Sequence, residues 1–425
     1  LTRQQYVWRN SYGAKLNISI WFKGFAQTSI FLLFPNGPQQ DTSSRRHLVS
    51  HMTDDKPSFT VKRLQRIIFK FLAIAIALIG MPILGTTLTD YPLSLHFEFP
   101  PHTRFITHSP FSWIAFALFS SLILICLIPI VLMGLRAQRP DREYRHPTRT
   151  FPWWGWLGIC SVILTWIFAW TRIPWFETYQ PHTFTPLWLS FILVVNAWTY
   201  RRTGHCLLVD RPRYFLWLFP ASAFFWWFFE FLNRFVQNWY YIGVEHFSPS
   251  AYFGYASFAF ATVLPAVLSV RDALLSCPWI QERFSQMPSI PMTFTPGKGI
   301  AFLLFGAAGL FAAGAAPNYF FPLLWIAPLS VLLSMEIIGR QDGSLRQAIR
   351  GDWRDIVAAM LAALICGIFW EMWNYYSYAK WIYSIPWVHR FQIFEMPILG
   401  YAGNLPFGWV CLIIGNLINN IIPKR

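Results

Sequence analysis

The sequence predicts an all-α, polytopic integral membrane protein of about ten transmembrane helices, with a tandem parallel repeat of four helices. Three observations carry this expectation. Apolar residues make up 55% of the 425 and charged residues 12%, which leaves no room for a large soluble domain. The apolar residues gather into about ten runs long enough, or nearly so, to cross a hydrocarbon core of roughly 30 Å. Lys and Arg fall in alternate loops between those runs.

In chain order the runs are 67–89, 111–134, 154–171, 186–200, 214–236, 251–269, 299–316, 318–338, 355–376 and 399–422. The fourth is short for a span. The seventh is rich in Gly and Ala, from Gly306 to Ala316, and such small residues let helices approach closely in a membrane. The last opens on an interrupted stretch, Pro397 to Gly408, where two Pro and several Gly break the helical pattern. Broken backbone at membrane depth is tolerated where it packs in protein or lines a polar cavity. Residues 1–51 differ in composition from the rest and read as an extension or loose tail, with an interfacial helix as the alternative. Met52 and the basic stretch after it resemble the start of a polytopic chain. The expected divisions are 52–150 (two helices and a basic loop), 151–298 (first repeat) and 299–425 (second repeat).

The net charge of +15 raises the question of nucleic acid. Its placement argues otherwise. Basic residues cluster at 56–66, 136–149, 201–213, 271–298, 340–354 and Lys424-Arg425, whereas the other loops hold chiefly Arg104, Arg172, Lys380 and Arg390. That alternation is the positive-inside pattern, and it implies an inner-membrane protein with both termini cytoplasmic. Membrane lipids are then the expected partners, and nucleic acid is not. The six Cys offer neither a disulfide framework nor zinc-type spacing, the His match no metal motif, and no cofactor is implied.

The repeat rests on collinear matches at offsets of roughly 140 residues, too long for a solenoid period. Phe229-Glu-Phe-Leu-Asn233 parallels Trp370-Glu-Met-Trp-Asn374, and in both an aromatic cluster with Trp and Tyr follows. Phe184-Thr-Pro-Leu187 parallels Phe320-Phe-Pro-Leu323. Arg201-Arg-Thr-Gly204 parallels Arg340-Gln-Asp-Gly343. Val244-Glu-His-Phe247 parallels Val388-His-Arg-Phe391, and Gly254-Tyr-Ala256 parallels Gly400-Tyr-Ala402.

An acid in or beside a span is costly and marks a use. Glu230 with Asn233, and Glu371 with Asn374, each share a helix face at a spacing of three, at the outward ends of their spans. With Glu395 they are the candidate catalytic groups. Trp239, Tyr240, Trp381, Tyr383, His246, His389 and Tyr401 are the candidate substrate-binding groups. The same residues also fit a structural role, with Glu and Asn bonding neighbouring helix ends and the aromatics forming an interfacial belt. A third role, cation binding by the acids and outward His, finds no ligand spacing to support it.

Glu371, Trp381-Ile-Tyr383 and Glu395-Met-Pro397 together resemble the small membrane lycopene cyclases of carotenoid synthesis. The likeness covers about a tenth of the chain. Where that family has Pro-x-Glu-Glu, this chain has Pro397-Ile-Leu-Gly400, and the first repeat has no Glu-x-Pro. The resemblance implies acid-initiated chemistry on an isoprenoid or other lipid, a small hydrophobic substrate. A lipid- or partner-binding membrane protein without catalysis, and a transporter, are the alternatives.

Overall fold

A computed structural model describes residues 72–136 and 149–422. The expectations for residues 1–51, for the basic loop 137–148 and for Lys424-Arg425 lie outside the described residues. Among the described residues, seven helices are long and apolar enough to cross a membrane. They are α2 (Trp113–Arg136), α3 (Trp153–Trp170), α5 (Pro212–Val236), α6 (Pro249–Leu275), α7 (Pro296–Ala315), α9 (Arg354–Tyr375) and α10 (Asn404–Ile421, entered through the turn that starts at Ile398). Three further apolar runs also form helices, α1 (Leu72–Thr86), α4 (Phe184–Thr203) and α8 (Leu323–Gly339), and shorter helices lie in the loops. The chain is therefore an α-helical, multi-pass membrane protein.

The helices associate through close contacts more than through amphipathic stripes, as expected where lipid is as apolar as the core. The small residues of α7 lie against α1 and α8. A Cβ on Gly314 would strike the carbonyl of Pro82, and one on Gly85 the carbonyl of Phe311, so these two glycines set the α1–α7 distance. α3 packs on α4, α9 on α10, and the second half of α6 on α9 and α4. α2 is the least buried span: its apolar window has no buried residue, and it meets the rest through Phe116 on Phe391, Phe119 on Phe321 and Gly134 beside Phe284.

The run 251–269 is not a straight span. α6 breaks at Ala261–Thr262, before Pro265, whose missing N–H cannot bond back to Ala261. Ser222 of α5, fully buried, mends the break. Its Oγ donates to the Phe260 carbonyl at 2.6 Å and accepts from Leu264 N–H at 2.9 Å.

Non-helical pairing is confined to short segments. β1 (Trp239–Ile242), following α5, and β2 (Lys380–Tyr383), following α9, form an antiparallel ribbon. Trp239 lies opposite Tyr383, Tyr240 opposite Ile382, and Tyr241 opposite Trp381. β3 (Gln392–Ile393) and β4 (Met396–Pro397) form a second small pair that leads into α10. The ribbon joins the ends of the two helices that carry the acid–amide pairs.

Candidate site beneath the aromatic ribbon

α5 ends where Gln237 turns left-handed, with φ at 48°. A non-glycine residue is costly there, and Gln237 is held by its side chain. Its amide oxygen accepts from Phe105 and Ile106 N–H, each at 2.9 Å, and its amide nitrogen donates to Thr103 O at 3.0 Å. The chain then reverses into β1. Strand alternation puts Trp239 and Tyr241 on one face, together with Trp381 and Tyr383 of β2. That face meets the two acids.

The two acids share a pair of bonds from the ribbon. Glu230 Oε1 accepts from Trp239 Nε1 at 3.0 Å and from the Tyr241 hydroxyl at 2.6 Å. Glu371 Oε1 accepts from Trp381 Nε1 at 3.1 Å and from the Tyr383 hydroxyl at 2.7 Å. Neither acid bonds to its Asn. Each Asn instead clamps the backbone of the strand that follows. Asn233 Nδ2 donates to Trp239 O at 2.7 Å and its Oδ1 accepts from Trp239 N–H at 3.3 Å. Asn374 does the same to Trp381, at 2.8 and 2.9 Å. Burial and the adjacent carboxylate push both phenols, Tyr241 and Tyr383, well above the ordinary tyrosine range, so both remain donors.

The clusters differ one turn to either side of the acid. Four residues before Glu230 stands Trp226, whose Nε1 gives Oε1 a third donor at 3.0 Å. Four residues before Glu371 stands Gly367, and the side chain of Asn404 fills the space a Cβ would need. Four residues after Glu230 stands Arg234, bonded to the Leu95 and His96 carbonyls and 3.7 Å from Glu98. Tyr375 holds that place after Glu371. Glu371 Oε2 is buried and has no hydrogen-bond partner.

The walls are aromatic and cross over. Trp188 of α4 packs on Trp370 and Trp373, 5.1 Å between centroids in both cases, and Phe184 meets Trp381 at 5.7 Å. Trp325 of α8 stacks on Phe229 at 5.2 Å and on Trp239 at 5.9 Å. Above the ribbon runs the segment 103–109. His108 donates from Nε2 to Val236 O at 2.8 Å, and its Nδ1 lies 2.7 Å from Ser384 Oγ, tying the end of α5 to the end of β2. Burial holds the His108 imidazole below its usual range, against the raising effect of those bonds.

Of the residues singled out in the sequence, the structure thus gathers Glu230, Asn233 and Trp239 in one cluster, and Glu371, Asn374, Trp381 and Tyr383 in the other. The others bond to neither acid. Tyr240 faces away, under the Arg104 guanidinium at 4.2 Å. Glu395 is paired with Lys380, whose Nζ also donates to Tyr375 O. Tyr401 donates to Ile393 O at 3.0 Å. His389 contacts Gln392, and His246 packs on Phe247. Sequence reasoning missed Tyr241 and Trp226. The signal for Tyr241 was present: Trp-x-Tyr occurs at 239–241 and again at 381–383, a spacing of two that belongs to a strand. Among the described residues no three of His, Cys, Asp and Glu gather as metal ligands would.

Comparison with protein-family models, with curated protein sequences and with solved structures finds no match to this chain.

Proposed function

We propose that this chain is a ten-span inner-membrane protein made of two tandem four-helix repeats, and that Glu371 is the general acid of an enzyme acting on an isoprenoid or other membrane lipid. The repeat is supported by the two Asn clamps and by the Trp and Tyr donors shared by the two Glu clusters. A further matched pair supports it at the opposite membrane face. Asn196 of α4 accepts from Leu208 N–H at 3.2 Å, and Glu336 of α8 accepts from Leu345 N–H at 3.1 Å, each holding the short helix of the loop that follows. The Lys and Arg bias puts those loops in the cytoplasm and the ribbon outside.

The observation that carries the enzymatic role is the bare Oε2 of Glu371. Both of the donors on this carboxyl serve Oε1, so a proton held by the carboxyl belongs on Oε2. A general acid needs such a proton within reach of the reacting group. Positive charge developing on an unsaturated lipid would face indole rings, whose electron-rich faces attract cations. The non-catalytic alternative is favoured by the first cluster, where three donors make Glu230 a fastening for the ribbon.

Glu371→Gln keeps shape and removes the titrating proton. Lipid extracts from cells carrying only this variant, compared by mass spectrometry with wild type, should lose one lipid product and accumulate its precursor while the protein stays inserted and folded. An unchanged lipid profile with a folded variant defeats the enzymatic role and leaves the fastening role for both acids.

A further inference from the structure

We infer that the place where α3 begins and α4 ends holds the phosphate of an anionic phospholipid, with Arg149 and Arg201 as its basic groups. This is the end of α4 away from the ribbon. α4 meets Trp381 through its first residue, Phe184, and the arginines stand at its last turn. Two glycines let the helices close there. A Cβ on Gly155 would stand 2.5 Å from the Ala197 Cβ, and one on Gly158 3.1 Å from Val194 Cγ2. Arg149, on the approach to α3, is fastened to α4. Its N–H donates to Arg201 O at 2.8 Å. Its Nη1 donates to the Tyr200 hydroxyl at 2.8 Å, and its guanidinium carbon lies 5.3 Å from the centre of the Tyr200 ring. Gly204, with φ at 78°, leaves the room for it: a Cβ there would stand 2.8 Å from Arg149 Nε.

The charge so placed is unmatched. Among the described residues, Arg149 Nε and Nη2 and the Arg201 side chain have no hydrogen-bond or ion-pair partner. Neighbouring Arg202 donates to Cys277 Sγ and Ser276 O, both at 3.1 Å, and meets no carboxylate. Asp210, the acid of the following short helix, is engaged with His205 and the Cys206 N–H. The carbonyls that end α4 are also taken: Thr199, Tyr200 and Arg201 accept from Thr203 Oγ1, Gly204 N–H and Arg149 N–H. α3 adds to the same field. It starts with no side-chain cap and no acid in its first turn, and the N–H groups of Trp153 and Trp154 have no acceptor among the described residues. An open helix start and a free guanidinium edge both suit a phosphate group.

The surroundings select a lipid. Trp153 is 76% exposed and Trp198 50%, and exposed Trp beside a span marks headgroup depth. From Trp153 the same side of α3 continues through exposed Leu157 and Leu164, an apolar track for an acyl chain. A headgroup carrying its own ammonium would find no carboxylate among the three arginines. Phosphatidylglycerol therefore fits and phosphatidylcholine does not.

Native mass spectrometry of the full-length protein in detergent, titrated with dioleoylphosphatidylglycerol or dioleoylphosphatidylcholine, tests this. Wild type should retain the anionic lipid in preference to phosphatidylcholine. Arg149→Gln with Arg201→Gln should weaken that retention by about 30-fold, two surface charges at about fivefold each. Lys298→Gln with Arg340→Gln, which removes two exposed charges elsewhere, should leave it unchanged. Arg201→Glu keeps the Arg149 bonds and is the second variant if the double one does not insert; it too should weaken retention. No preference in wild type, a preference that survives in a folded Arg149 and Arg201 variant, or an equal loss in the Lys298 and Arg340 control overturns the inference. Inorganic phosphate should not displace the lipid; full displacement would make this a site for free phosphate and overturn the lipid assignment.

Discussion

Asn374 shows how much of the site is built by single side chains. Its amide meets both backbone groups of Trp381, and Asn233 repeats the arrangement on Trp239. Removing it leaves two half-buried backbone groups unpaired, at about 1–3 kcal/mol each. Asn374→Ala should lower thermal stability in detergent and loosen Trp381 from Glu371, seen as altered Trp fluorescence; Asn374→Asp, which keeps the acceptor, should fall between. His108 carries a pH dependence whose sign follows from its burial. The folded imidazole resists the proton that the unfolded chain accepts near pH 6.5. Stability is therefore full above that pH and declines as pH falls below it. A plot of melting temperature against pH should be shallower for His108→Gln than for wild type, the residual slope coming from His96, His182 and His389, which burial shifts the same way. At this scale the acids and amides were legible, because polar groups stand out in apolar text. Tyr241 was not, because Trp239-Tyr240 satisfied a chemical pattern while the selecting rule was geometric.

At the scale of elements, the ribbon is the part that apolar periodicity concealed. Aromatic residues after a span look the same whether they lie in an interfacial belt or pair with another strand. Only the partner, 140 residues away, decides it. Apolar composition understates α4 for a related reason: the 186–200 run stops at Tyr200, whereas the helix continues through Arg201 and Arg202 to a left-handed glycine at 204. The ribbon register is open to a direct test. Tyr240 and Ile382 face each other, so their Cβ atoms stand about 4.5–5.5 Å apart, near the range a disulfide spans. Tyr240→Cys with Ile382→Cys should cross-link under mild oxidant and run faster on a non-reducing gel. Tyr240→Cys with Ile393→Cys should not.

For the whole molecule, the decisive claim is which end of the helix bundle faces out. Thr178 and Ser248 lie at the ribbon end by the alternation of the helices, and Gly343 lies at the other. Cysteines introduced near Thr178 and Ser248 should react with an impermeant maleimide added outside cells, and cysteines near Arg142 and Gly343 should react only after lysis. The reverse pattern would turn the acidic clusters inward and exclude an outward-facing enzyme. Membrane class and the helices were legible in composition and hydropathy. The packing order was not, since nothing in the lengths of the runs says that α4 covers the acid of α9 while α8 covers the acid of α5.

That crossing of covers imposes an order in time. Trp325 stacks over Phe229 and Trp239, yet it follows Glu230 by 95 positions in the chain. At about 5–20 residues per second the ribosome needs roughly 5–20 s to deliver it. Through that interval α5 sits in the bilayer with β2 unmade and its acid lacking its final shelter. The first cluster is thus first to be synthesised and among the last to be closed. A chain arrested between α6 and α8 would present a membrane-embedded carboxylate to whatever surveys unfinished proteins.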